Sequence, residues 1–248
     1  MTAPIDRHAV VARHRPVLTS CCDHATVLAV GNGQLAYTPD VTGFQSLNAS
    51  YTQFPLTTLT DWAWHTSPFP EGVDPFREFA YTYRRTSTDR SVPYATIGSN
   101  AGAVTDWLRS NPHRLDVGQV SLRAIEADGG HRPLTESELS DVRQELDLWT
   151  GTLSSSFTFG GGRVDVVTAA HPDLDAVGWS VRLSTGSAGK LAVRLAFAYG
   201  SSAFGGGGAD WGAPDESHAT TIVGSGDGWA RLSRVLDDDS YEARAHPT

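Results

Sequence analysis

The chain has 248 residues, and its 19 Lys and Arg stand against 28 Asp and Glu, a formal net charge of −9. That sign argues against a polyanionic partner, so neither nucleic acid nor an anionic membrane surface is expected. No run of about 18 apolar residues offers a bilayer-spanning helix, and the length allows either one large all-β domain or two ordinary ones.

The opening MTAPIDRHAVVARHRPVLTS interleaves charge with apolar residues and lacks the continuous apolar core of a signal peptide, so a cytoplasmic location is expected. Cys21 and Cys22 are adjacent, a spacing that rarely allows a disulfide between them, and they are taken as free thiols. Even with His24 close by, they lack the spacing of a zinc set, so no metal and no cofactor are expected.

Short apolar runs of alternating pattern then follow in chain order. TVLAV and QLAYT flank Gly31-Asn32-Gly33, a favoured hairpin turn that is too short for a phosphate loop. In TTLTDWAWHTSPFP, residues 57–70, extended backbone puts Trp62 and Trp64 on one face and Asp61, Ala63 and His65 on the other. The two indoles are either core anchors or a platform for a ligand. REFAYTYRR follows as a strand, and Glu78 between Phe76 and Phe79 is the kind of carboxylate that apolar surroundings perturb.

AVTDWLRSN, residues 103–111, predicts a short helix before Pro112, and LDVGQVSLRAI a strand. Thr135 and Glu138 have capping-box spacing, which predicts a loop with at most a brief helix. From about 145 to 200 the pattern is a meander of four or five antiparallel strands. TLSSSFTF and RVDVVTAA are joined at Gly160–Gly162, HPDLD turns into AVGWSVRLS, and Leu191, Val193, Leu195, Phe197 and Tyr199 recur at period two with one face buried. Asp173 and Asp175 are turn residues on conformational grounds. Residues 201–220 form a glycine-rich loop that places Trp211 at the surface. DDDSYEARAHPT begins a strand near the end.

No spacing singles out a pair of carboxylates for glycosidic cleavage, and no G-x-S-x-G elbow is present. The aromatics carry the strongest chemical signal. Sugar rings present flat CH faces that stack on indole, while their hydroxyls bond to carboxylates, amides and imidazoles, and DWAWH offers both.

The ordered series VLAVGNGQLAYTPDVTGFQSL, PLTTLTDWAWHTSP, NPHRLDVGQVSL, ELDLWTGTLSSSF and VVTAAHPDLDAVGWSVRL resembles the N-terminal region of bacterial six-hairpin glycosidase-like proteins, similar to glycoside hydrolase family 65. The resemblance covers roughly residues 7–245. It implies one large antiparallel β-sandwich over residues 1–248, of the supersandwich, galactose-mutarotase-like kind, with few short helices. In that family the sandwich packs on an (α/α)6 barrel that carries the catalytic acid, and nothing in this chain could supply such a barrel. The resemblance therefore implies a non-catalytic, carbohydrate-associated domain that borders a sugar site completed by a separate barrel of a hydrolase or phosphorylase. By position, Asn32 and the stretch from Asp40 to His65 would approach the sugar. The substrate-binding candidates are thus Asn32, Asp40, Gln45, Asp61, Trp62, Trp64 and His65, joined by Trp211. A free-standing carbohydrate-binding module is the alternative, and an enzyme with its site on the sandwich itself the third reading.

Overall fold

The computed structural model describes residues 4–20, 26–73, 80–96, 102–203 and 206–247. Cys21, Cys22, His24 and Glu78 fall outside these residues. In chain order the elements are α1 (Arg7–Ala12), β1 (Val17–Leu18), β2 (Val30–Gly31), β3 (Leu35–Tyr37), β4 (Thr58–Thr60), β5 (Trp64–His65), β6 (Ala80–Arg85) and β7 (Ser91–Thr96). Then come α2 (Ala103–Ser110), β8 (His113–Arg114), β9 (Gln119–Ile125), β10 (His131–Pro133), β11 (Ser140–Asp147), β12 (Thr152–Phe159), β13 (Gly162–Ala170) and β14 (Val177–Leu183). The last are β15 (Leu191–Ala196), β16 (Tyr199–Gly200), β17 (Ala209–Asp210), β18 (His218–Gly226), β19 (Trp229–Leu236) and β20 (Asp239–Ala245). The fold is all-β and sandwich-like, and among the described residues every strand pairs antiparallel.

Where one unit over residues 1–248 was expected, the chain divides into two compact units, Met1–Ala63 with Leu115–Ala198, and Trp64–Arg114 with Tyr199–Thr248. The first holds a five-stranded sheet in the order β1-β11-β12-β13-β14 and a three-stranded sheet β10-β9-β15. Leu122 and Ala124 of β9 join Phe157, Phe159, Val164 and Val166 of β12 and β13 in one apolar core, so these two sheets face one another. β2, β3 and β4 form a small third sheet, whose Val30, Leu35 and Tyr37 pack with Leu153.

The expected meander is present as β11 to β14. The fifth strand leaves it, because after the turn at Ser184–Lys190 β15 pairs with β9. The period-two face expected to be buried there is half open: Val193 is 55% exposed and Leu195 38%, since β15 is the edge of its sheet. The capping box forms as expected, with the Thr135 backbone N–H donating to Glu138 and a single 3₁₀ turn at Glu136–Glu138.

The interior of this unit is unusual in holding a loop. Residues 40–47 are all buried, where backbone polar groups must find partners. Asp40 supplies several. One carboxylate oxygen accepts from the Thr42 backbone N–H (2.8 Å) and hydroxyl (2.5 Å), and the other from the Leu47 N–H (2.6 Å). Gln144 of β11 donates to the Asp40 carbonyl (2.7 Å), and Thr168 of β13 and Trp179 of β14 donate to the Gly43 carbonyl (3.0 and 3.1 Å). Toward the other sheet, Gln45 N–H donates to the Val120 carbonyl (2.8 Å), its amide oxygen accepts from Val120 N–H (3.2 Å), and the Ser46 hydroxyl accepts from Leu122 N–H (2.9 Å). Both sheets are thus tied to the same eight residues.

Gly43 makes that path possible. Its φ of +80° is left-handed, and a Cβ there would lie 2.9 Å from Val166 Cγ1 and 3.0 Å from Thr168 Oγ1. Strain and overpacking together predict that Gly43→Ala lowers stability by about 2–4 kcal/mol, measured as a fall in the urea midpoint at unchanged slope.

Burial has a second consequence for this unit. It pushes the Asp40 carboxyl up to about 6, against bonds from Thr42, Leu47 and Ser46 that favour the charge. It pushes Asp116, held by Gly118 and Thr58 N–H groups, up to about 7. The folded chain therefore binds more protons than the unfolded chain between about pH 4 and 7, and stability falls as pH rises through that window. The thermal midpoint is expected to drop by several degrees from pH 5 to pH 8, and Asp116→Asn to flatten the slope. A rise in midpoint over the same range would contradict this.

Candidate functional site

In the first unit the turn at Asn32 organises a surface patch. The Asn32 amide oxygen accepts from the N–H groups of Gln34 (2.9 Å) and Leu35 (2.8 Å), which closes the β2–β3 hairpin. Its NH₂ group donates to the carbonyls of His171 (2.9 Å) and Leu174 (3.1 Å), which pins the 171–176 loop to that hairpin. Asn32 therefore positions a loop and leaves none of its amide for a ligand. The pinned loop brings Asp175 to Trp62, whose indole N–H donates to the carboxylate at 2.7 Å. Trp62 is 49% exposed and Leu174 59%. Asp61, Asp173 and Asp175 are exposed as well. The result is a fixed indole, open to solvent and accompanied by carboxylates.

The boundary between the units falls between Ala63 and Trp64, so the second tryptophan belongs to the other unit. Trp64 is 44% exposed, and the Arg114 guanidinium lies 4.7 Å from its ring centroid, a cation–π contact. The alternation expected for DWAWH holds for burial at four positions, with Trp62 and Trp64 exposed and Ala63 and His65 buried. Trp211, 45% exposed, follows Asp210, whose carboxylate accepts from the Gly212 N–H at 2.8 Å.

His65 is enclosed. Its Nδ1 lies 2.9 Å from a carboxylate oxygen of Asp239, and its Nε2 lies 3.3 Å from Asp237, within ion-pair distance but outside hydrogen-bond geometry. The rings of His113 and Tyr199 meet it edge-on at 5.2 and 5.3 Å. Tyr199 donates its hydroxyl to the same Asp237 at 2.5 Å, and its own ionisation is pushed up by burial and then by that carboxylate. Burial and the neighbouring His65 hold His113 below the ordinary imidazole range. Among the described residues no group of three or more His, Cys, Asp or Glu is placed to hold a metal ion.

The expected site residues therefore separate into two kinds. Trp62, Trp64, Trp211 and Asp61 face solvent. Asp40, Gln45 and His65 are corrections to the ligand-facing role given them, because each is buried and bonded or ion-paired within its own unit. Asn32 is a correction too, because its amide is taken up by the hairpin and the 171–176 loop. Asp175 and Leu174 were passed over, since a turn aspartate carries no sign of a partner 113 residues away. No family model matches the chain, and no curated protein is significantly similar to it. Fold and surface define an all-β, sandwich-like protein with outward-facing aromatic residues.

Gly200 sets the approach of the histidine pair. A Cβ there would lie 2.6 Å from His65 Cδ2 and 2.9 Å from His113 Nε2. Gly200→Ala is expected to cost about 1–3 kcal/mol by overpacking, with loss of amide-exchange protection in β5, β8 and β16 while β11 to β13 keep theirs. Equal protection in the variant and the unaltered chain would mean that the rings yield without cost.

Proposed function

We propose that this chain is a non-catalytic, carbohydrate-associated β-sandwich that borders a sugar site, working with a separate (α/α)6 barrel of a glycoside hydrolase or phosphorylase. The observation that carries this reading is Trp62. Its indole N–H is tied to Asp175, which favours one orientation of the ring, and half of its surface faces solvent. A sugar stacking on that ring gains apolar contact without the entropy cost of ordering the side chain. Asp61 and Asp175 stand close along the chain or in space to accept from sugar hydroxyls. The surrounding carboxylates favour a neutral glycan over an anionic one.

The docking of a barrel is supported by the open sandwich edge. Val181 and Leu183 on β14 and Val193 and Leu195 on β15 are each at least 38% exposed, and both are edge strands. Apolar edges of this kind are what a larger partner covers.

The test is ligand-observed NMR of the intact chain with a panel of neutral glucose, galactose and mannose disaccharides. At least one is expected to show weak binding that Trp62→Ala removes and Trp211→Ala keeps, and Asp175→Asn is expected to weaken it about threefold, because the amide oxygen still accepts from the indole and only the charge assistance is lost. No reducing sugar should be released from any of the panel. Binding that survives Trp62→Ala, or no binding across the panel, overturns the site reading.

A further inference from the structure

The second unit holds a groove of about 310 Å³ that the sugar reading does not use. It lies on the β18-β19-β20 sheet and is lined by Val223, Gly224, Trp229, Arg231, Arg244 and His246. The register explains how these residues meet. Arg231 of β19 stands directly opposite Arg244 of β20, and Trp229 stands opposite Gly226 of β18. The Trp229 indole lies over Gly224 and Gly226: a Cβ at Gly226 would fall 2.3 Å from its Nε1, and one at Gly224 3.2 Å from its ring. The two glycines thus let the indole lie flat against the sheet, where it is 42% exposed.

The charge is what calls for a ligand. Directly opposed like charges destabilise a strand pair, and here two guanidinium groups are opposed on a chain whose net charge is −9. Glu242 is the one carboxylate paired with them among the described residues, and it lies a long 3.8 Å from Arg231 Nε. That Nε is shielded from solvent and has no hydrogen-bond partner. No carboxylate among the described residues is paired with Arg244. Guanidinium forks match carboxylate and phosphate oxygens, and an indole face suits a ring with apolar CH groups. The volume sits at the small end of the roughly 300–1,000 Å³ of ligand sites.

We propose that this groove binds a small anionic ligand, a phosphate or carboxylate carried on a sugar-like ring, with the ring on Trp229 and the oxyanion between Arg231 and Arg244. His246 borders the same space, while the Glu242 carboxylate opposes the anion. The Trp62 patch takes no part in this binding.

Isothermal titration of the intact chain at low ionic strength tests the assignment with glucose 6-phosphate, glucuronate, glucose and inorganic phosphate. One or both sugar anions are expected to bind, and which one does separates a phosphate from a carboxylate ligand. Inorganic phosphate should bind more weakly than glucose 6-phosphate, because it leaves Trp229 uncovered. Arg244→Gln should weaken binding about tenfold or more, high salt should weaken it in the unaltered chain, and Trp62→Ala should leave it unchanged. In the unaltered protein the Trp229 indole N–H resonance, assigned by its absence in Trp229→Phe, should shift on adding the anion. Failure of both sugar anions to bind, unchanged affinity in Arg244→Gln, or a still Trp229 resonance would overturn the proposal. Loss of anion binding in Trp62→Ala would do so too, by moving the binding to the other patch.

Discussion

Everything in the first unit depends on hydrogen bonding a loop that has been placed inside. Loops ordinarily run on the surface because water satisfies their backbone. Residues 40–47 have no such recourse, so side chains from both sheets supply the partners: Gln144, Thr168 and Trp179 from one, and the backbone of Val120 and Leu122 from the other. Each bond contributes modestly when made and costs more when left unmade. The sheets are therefore held in one register by a polar requirement as well as by the apolar core of Phe44, Phe157 and Val166. That requirement also removes Asp40 and Gln45 from the surface, where a ligand could have met them.

The second unit meets a related requirement with fewer apolar residues. Leu236 and Val104 are buried there beside His65 and Arg234, both polar. His65 is tolerable inside because two carboxylates flank it, and Arg234 because His218 and Thr220 accept from it at 3.0 and 2.9 Å. Buried groups of this kind need their partners in place. The cluster fixes the β16 and β20 segments around one imidazole, which is a structural duty that leaves the imidazole no exposed face.

Much of the architecture was legible because it follows from local rules. The Gly160–Gly162 turn, the β12 to β14 meander, the helix before Pro112 and the capping box at Thr135 are all set by residues close in sequence. What failed was long-range. The alternation of Leu191, Val193 and Leu195 announces a strand, but whether its apolar face is covered depends on which sheet it joins, and β15 joins as an edge. The division at Ala63 and Trp64 is likewise invisible in DWAWH, where period two continues across it. Asp40 was named only by its position in the family resemblance, and only the completed fold shows the donors that surround it. Trp62 was singled out for its type, while its partner Asp175 was taken as a turn residue, and the sequence carries no mark of their meeting.

An exposed tryptophan becomes a recognition surface when something other than a ligand fixes it, and the charges beside it then choose the ligand. Trp62 and Trp229 differ in both respects. Asp175 holds Trp62 through its N–H, and the groups around it are carboxylates, which repel an anion and accept from hydroxyls. Two glycines bed Trp229 against its sheet, and the groups beside it are Arg231 and Arg244. Trp64 shows the contrasting case, since the Arg114 guanidinium already occupies a face of its ring. Three indoles of similar exposure thus have three different chemical settings. Exposure alone would rank them equally; neighbouring charge separates them, with carboxylates around one, guanidinium groups beside another, and the third already met by a guanidinium of its own chain.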